Sequence, residues 1–186
     1  CPEDILYKYP FKLIMLSYLL RFEGQNELYN KLSRIIDYLI ENNPTDLSED
    51  DLRQIKGEFL LLKSYTLYND IKMVYEGIKD AYKLLGGASR YKLNEIPLTM
   101  GGTSVLCMLW SEPGKLEETL SNMQKYLPLH IKLTHGQGVG SDSVLQAEMM
   151  LMRGDDIQAE ILCHKALYQA RSKNETCVCL CAEQIL

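Results

Sequence analysis

A chain of 186 residues, 46% hydrophobic and 24% charged, is long enough to bury a core as one domain. Its net charge of −5 excludes global attraction to nucleic acid or to an anionic membrane. The strongest apolar run, Leu13 to Leu20 between Lys12 and Arg21, falls far short of the ~20 residues a bilayer-spanning helix needs.

Six cysteines in a chain of this length are not a disulfide framework; several fall within helical patterns, as reduced cytosolic thiols do. The chain opens at Cys1 without a basic-then-apolar leader and stops at Leu186 inside a helical pattern. The expectation is a single cytoplasmic domain over 1–186, excised from a longer protein.

In chain order, Phe11, Ile14, Met15, Tyr18, Leu19 and Phe22 follow helical spacing, and Gly24 ends that helix. Leu28, Leu32, Ile35, Ile36 and Leu39 mark the next, which stops before Pro44. Ser48 is placed as an N-cap, with Glu49, Asp50 and Asp51 in the first turn to complement the positive helix end. Leu52, Ile55, Phe59 and Leu62 run along this third helix. Asp70 caps a fourth, marked by Ile71, Val74, Tyr75, Ile78 and Tyr82, and Gly86-Gly87 closes it.

Residues 86–103 break the rhythm, with four glycines and Pro97. A loop this long in a compact helical array is often functional. A short apolar helix is expected over Ser104 to Trp110, and another from Ser111-Glu112-Pro113, with Leu116, Leu120, Met123 and Leu127 buried and Pro128 kinking or interrupting it. His135 to Gly140 reads as a flexible turn, and Ser141 opens the following helix.

Arg153 to Asn174 carries the strongest pattern. Gly154-Asp155 closes one helix and opens the next. Ala159, Leu162, Cys163, Ala166, Leu167 and Ala170 make one apolar face whose small residues permit close helix approach. Ile157, Ile161 and Tyr168 make a second, and a helix apolar on two sides is expected to lie between neighbours. The fold class is therefore all-α, a tetratricopeptide-like right-handed stack of antiparallel helix pairs with drifting repeat length.

Lys83 to Arg90, Leu109 to Leu120, Lys132 to Asp142 and Ala159 to Asn174 together resemble the helical-repeat region of MalT-like, LuxR-family bacterial transcription regulators. The resemblance covers most of the chain and is strongest from Lys83 to Asn174. In that family the region lies between a nucleotide-binding switch module and a helix-turn-helix. The resemblance implies a sensor of a small-molecule inducer or regulatory protein, working through other modules of the same chain. Gly114-Lys115 is followed by Leu116, which is not a phosphate-binding loop, and no basic recognition helix is present. No cofactor, no direct nucleic-acid contact and no membrane contact are expected of this fragment.

Catalytic and metal signals are weak. His130 and His135 have no Cys, Asp or Glu beside them to complete a ligand set. Cys177 and Cys181 share a helical face while Cys179 points elsewhere, so the three thiols do not converge. Adjacent Cys163 and His164 point in different directions and fail as nucleophile and base. The spacing of Gly136, Gly138 and Gly140 is one residue short of a dinucleotide fingerprint, although a backbone anion nest remains open. Recognition is better served: Arg90 and Tyr91 in the long loop can stack on a ligand, Trp110 follows as the sole tryptophan, and Tyr126, His130 and His135 offer polar tips on a groove wall. A freestanding tetratricopeptide-type adaptor is the alternative reading.

Overall fold

Helix boundaries follow caps that the sequence supplies. The computed structural model describes residues 3–67, 70–91, 106, 110 and 112–186. Among them are nine helices and no strand: α1 (Glu3–Tyr7), α2 (Pro10–Phe22), α3 (Asn26–Asn42), α4 (Glu49–Tyr65), α5 (Ile71–Leu85), α6 (Leu116–Leu133), α7 (Ser141–Met152), α8 (Asp156–Arg171) and α9 (Thr176–Ile185). None is long and apolar enough to cross a membrane. The Ser48, Asp70 and Asp155 side chains accept from the backbone N–H groups of Asp51, Met73 and Gln158, satisfying donors that a helix start leaves unpaired. Gly86 closes α5 at φ +68°, the left-handed conformation that favours glycine.

Each helix packs chiefly on its sequence neighbours: α2 on α3, α4 on α5, α7 on α8 and α8 on α9. The α4–α5 pair is antiparallel, since a Cβ on Gly57 would meet Leu85 and one on Gly77 would meet Ser64. These two interior glycines set the closeness of that crossing. The α7–α8 pair is antiparallel too, with Ser143 near the start of α7 bonding Gln169 near the end of α8.

One junction breaks the antiparallel alternation. The Lys115 ammonium at the start of α6 is held by Glu112 and also interacts with Asp70 at the start of α5. At the far end, the Ser89 N–H just past α5 donates to the Leu133 carbonyl at the end of α6 (2.9 Å), and Lys132 lies over the Tyr82 ring. Helices α5 and α6 therefore run in the same direction, and the chain between them must return to its starting end. Most of the long loop 86–103 that sequence singled out, and the short helix expected over 104–110 apart from Leu106 and Trp110, lie outside the described residues.

The core runs through the whole array. It includes Ile14, Tyr18, Ile36, Leu39, Ile55, Phe59, Leu62, Ile78, Met123, Leu127, Leu145, Ala166 and Cys181. On α8 the buried residues are the six of the alanine face. Four expectations need correction. Ile157, Ile161 and Tyr168 are exposed, because α7 and α9 cover only the alanine side of α8. On α2, Ile14 and Tyr18 are buried with Leu13 and Ser17, while Met15, Leu19 and Phe22 face outward. The sixth helix begins at Leu116, with Pro113 in the preceding turn, and runs through Pro128 without interruption. Pro128 lies on the exposed side, where a missing N–H breaks no contact with the core. The turn over 134–140 is not a free linker: the Gly138 N–H donates to Glu175 (3.0 Å), and Thr134, Gln137 and Gly140 are buried.

Candidate functional site

Two polar clusters and one groove deserve comparison. The first cluster surrounds His130, which is buried near the end of α6. The hydroxyls of Tyr65 and Tyr126 lie 3.1 and 3.0 Å from Nδ1, and Gln137 Oε1 lies 3.1 Å from Nε2. With Nε2–H donating to Gln137, the one Nδ1 lone pair is left facing the two tyrosine hydroxyls. Burial pushes the His130 imidazole down to about 4, against a lesser opposing effect of Gln137. A neutral ring is the consequence. Burial likewise raises the Tyr65 and Tyr126 phenols. The sequence places the His130 tip on a groove wall; instead the buried ring ties α4, α6 and the turn before α7 together.

The second cluster surrounds Glu58, a fully buried carboxylate on α4. Ser89 Oγ donates to one of its oxygens and the Arg90 N–H to the other, each at 2.7 Å. Burial raises the Glu58 carboxyl, and these two hydrogen bonds hold it down. Ser89 also accepts at its carbonyl from His135 Nε2 (2.7 Å), and its Oγ accepts from the Tyr91 N–H (3.1 Å). The Tyr91 hydroxyl donates to the Phe11 carbonyl, and the Arg90 guanidinium stacks 3.6 Å from the centre of the Phe11 ring. Glu58 and Ser89 were missed by periodicity. A charged residue on the apolar face of α4, one position before Phe59, was the available signal.

The six residues singled out from sequence are therefore placed as follows. Tyr126 and His130 meet directly. Arg90, Tyr91 and His135 gather around Ser89. The two groups join through the end of α6, where Thr134 N–H donates to the His130 carbonyl and Ser89 N–H to that of Leu133. Trp110 stands apart, half-buried, donating from Nε1 to the Glu112 carbonyl at 2.5 Å. Their partners are the chain's own groups, which they pin together.

The groove lies elsewhere. Its volume is about 390 Å³, and it opens between α6 and the α7–α8 pair. Helix α6 lines it with Gln124, Leu127, Pro128 and Ile131, the following turn with Val139 and Gly140, and α7 and α8 with Asp142, Gln146 and Gln169. Pro128 has no N–H to give the carbonyl four residues back, that of Gln124. Gly140 shapes one end: at φ +96° a Cβ would stand 2.9 Å from the Ala166 carbonyl oxygen. None of the six residues above lines this groove. Three carboxamides and one carboxylate beside apolar side chains can orient a polar ligand.

Other sequence candidates stay apart. Cys163 is buried, and its thiol is raised by burial and by Glu148, while His164 is exposed beside Glu160. Cys181 is buried, with Cys177 and Cys179 half-buried. Among the described residues no group of three His, Cys, Asp or Glu side chains is placed to hold a metal ion.

Comparison with known proteins returns no matching family model, no matching curated protein and no matching solved structure.

Proposed function

We propose that this chain is a noncatalytic sensing module that takes a small polar ligand in the groove between α6 and the α7–α8 pair. The observation that carries this is the composition of that groove: Asp142, Gln146 and Gln169 on the α7–α8 side and Gln124 on α6, beside the apolar Leu127, Pro128, Ile131 and Val139. Pockets that recognise small molecules pair an apolar lining with a few polar groups that fix orientation, in volumes of ~300–1,000 Å³. The groove also sits at a light junction. Helix α6 packs heavily on α5 and only lightly on α7, whereas α7 packs heavily on α8. A ligand bridging both sides favours one setting of α7–α9 against the preceding helices, and a conformational equilibrium shifts only through such differential contact.

Combined with the resemblance to MalT-like regulators, the proposal is that this tetratricopeptide-like array is the sensor region of a cytoplasmic bacterial transcription regulator. Ligand occupancy would pass to a nucleotide switch and a DNA-binding module of the same chain. The gene on either side tests this. A phosphate-binding loop upstream and a helix-turn-helix downstream support it, and the lack of both overturns the transcriptional role. A second reading, a freestanding interaction adaptor, is favoured by the exposed apolar residues Met15, Leu19 and Phe22 on α2, because solvent-facing apolar stripes mark protein-binding surfaces.

A further inference from the structure

Helix α8 turns an apolar stripe to solvent on the side opposite its buried alanines. Ile157, Ile161 and Tyr168 are 76%, 54% and 82% exposed. At 3.6 residues per turn, positions 157, 161, 164 and 168 fall on one line. Leu151 and Met152 at the end of α7, across the turn from Ile157, are exposed as well. Side chains of this size left in water cost free energy that a covering surface would recover.

The charges around the stripe say which surface fits. Within α8 its first half carries Asp156 and Glu160 and its second half Lys165 and Arg171, while Arg153 and Glu175 beyond the two ends are engaged by Glu117 and the Gly138 N–H. We infer that the stripe is a self-complementary docking surface, covered by α8 of a second copy of this chain lying antiparallel to it.

Antiparallel packing sets the acidic half of each helix over the basic half of the other and opposes the two helix dipoles. Parallel packing would set acid on acid and base on base. Within the chain, Arg171 already pairs with Glu183, and Glu160 lies 3.7 Å from His164. Orientation therefore comes from the opposed fields of the two halves more than from new ion pairs. A two-fold axis midway between Ile161 and His164 places Ile157 of each copy beside Tyr168 of the other and Ile161 beside His164, so that the apolar overlap and the charge match occur in the same register. Such contacts are isologous and close at the dimer. The stripe is narrow beside the ~800 Å² per partner of a standard interface, so the association is weak and reversible. It is independent of the ligand groove.

Sedimentation equilibrium over a wide concentration range tests this. The weight-average mass is expected to rise toward twice the monomer. Ile161→Asp and Tyr168→Ala, both at exposed positions, are expected to remain monomeric with unchanged circular dichroism and melting temperature. Raising sodium chloride from low to high concentration should weaken the dimer ~3–10-fold, because screening removes the attraction between unlike halves. A chain that stays monomeric throughout, leaving the stripe uncovered or open to a different partner, would overturn the inference. So would an Ile161→Asp variant that associates like wild type, which would place the contact on another surface. Association that tightens with salt would rule out the antiparallel arrangement.

Discussion

The Tyr65 hydroxyl at the end of α4 and Nδ1 of His130 near the end of α6 lie 3.1 Å apart, across 65 positions of sequence. With Tyr126 and Gln137 completing the surroundings, this contact makes the buried imidazole a joint between the first helices and the turn that leads into α7.

A pH dependence follows from that joint. His130 is held near 4 in the fold against an ordinary value of 6.5. In the unfolded chain it takes up a proton as pH falls through 6.5, while the folded chain resists until about 4. The unfolded state thus binds more protons between those values, so stability is full above pH 6.5 and is lost on acidification, by up to about 3 kcal/mol. Glu58 works the other way, because its raised carboxyl favours the folded state when protonated. Denaturant titrations between pH 7.5 and 4.5 on wild type and His130→Gln isolate the histidine. The wild type should lose more stability on acidification than the variant, and equal losses would refute the account.

Removing the Ser89 hydroxyl takes one of two short hydrogen bonds from a buried carboxylate. Ser89→Ala should destabilise the chain by about 1–3 kcal/mol at neutral pH. The loss should shrink in acid, where a protonated Glu58 needs less solvation. A loss that is constant from pH 7.5 to 4.5 would show that Glu58 is not the group affected.

The α4–α5 crossing rests on two glycines inside helices. A Cβ at Gly57 would stand 2.8 Å from Leu85 Cγ, and one at Gly77 would stand 2.2 Å from Ser64 Oγ. Alanine is intrinsically the better helix former by ~1 kcal/mol, so an open site would gain from the change. Gly57→Ala should instead cost about 1–3 kcal/mol through overpacking against Leu85. A raised denaturation midpoint would show that α5 can move away.

Much of the helical framework was legible because it is local. Caps at Ser48, Asp70 and Asp155 and the stop at Gly86 depend on residues within a turn of each other. The alanine face of α8 was legible because small residues at helical spacing have one use. What periodicity could not decide was which of two apolar faces is covered. On α2 and α8 that depends on neighbours many positions away, and the uncovered face is as apolar as the covered one. Glu58 and His130 were illegible as core residues for the same reason. Buried polar side chains need hydrogen-bond partners, and for Glu58 and His130 those at Ser89, Tyr65 and Gln137 are 31, 65 and 7 positions away. The groove was missed because its walls come from three helices. Arg90 and Tyr91 drew attention instead, as residues of a loop, and in the fold they pack on α2.

The central claim is that recognition occurs at the α6/α7–α8 groove. The most direct test is inducer-dependent transcription by the full-length protein carrying Gln146→Trp, which fills the groove from a partly exposed position, beside Arg90→Ala, which removes only the guanidinium over Phe11. The account predicts that Gln146→Trp abolishes the response with the melting temperature little changed, and that Arg90→Ala keeps it. A response that survives Gln146→Trp and is lost in Arg90→Ala at unchanged stability would contradict it and return the site to residues 86–103.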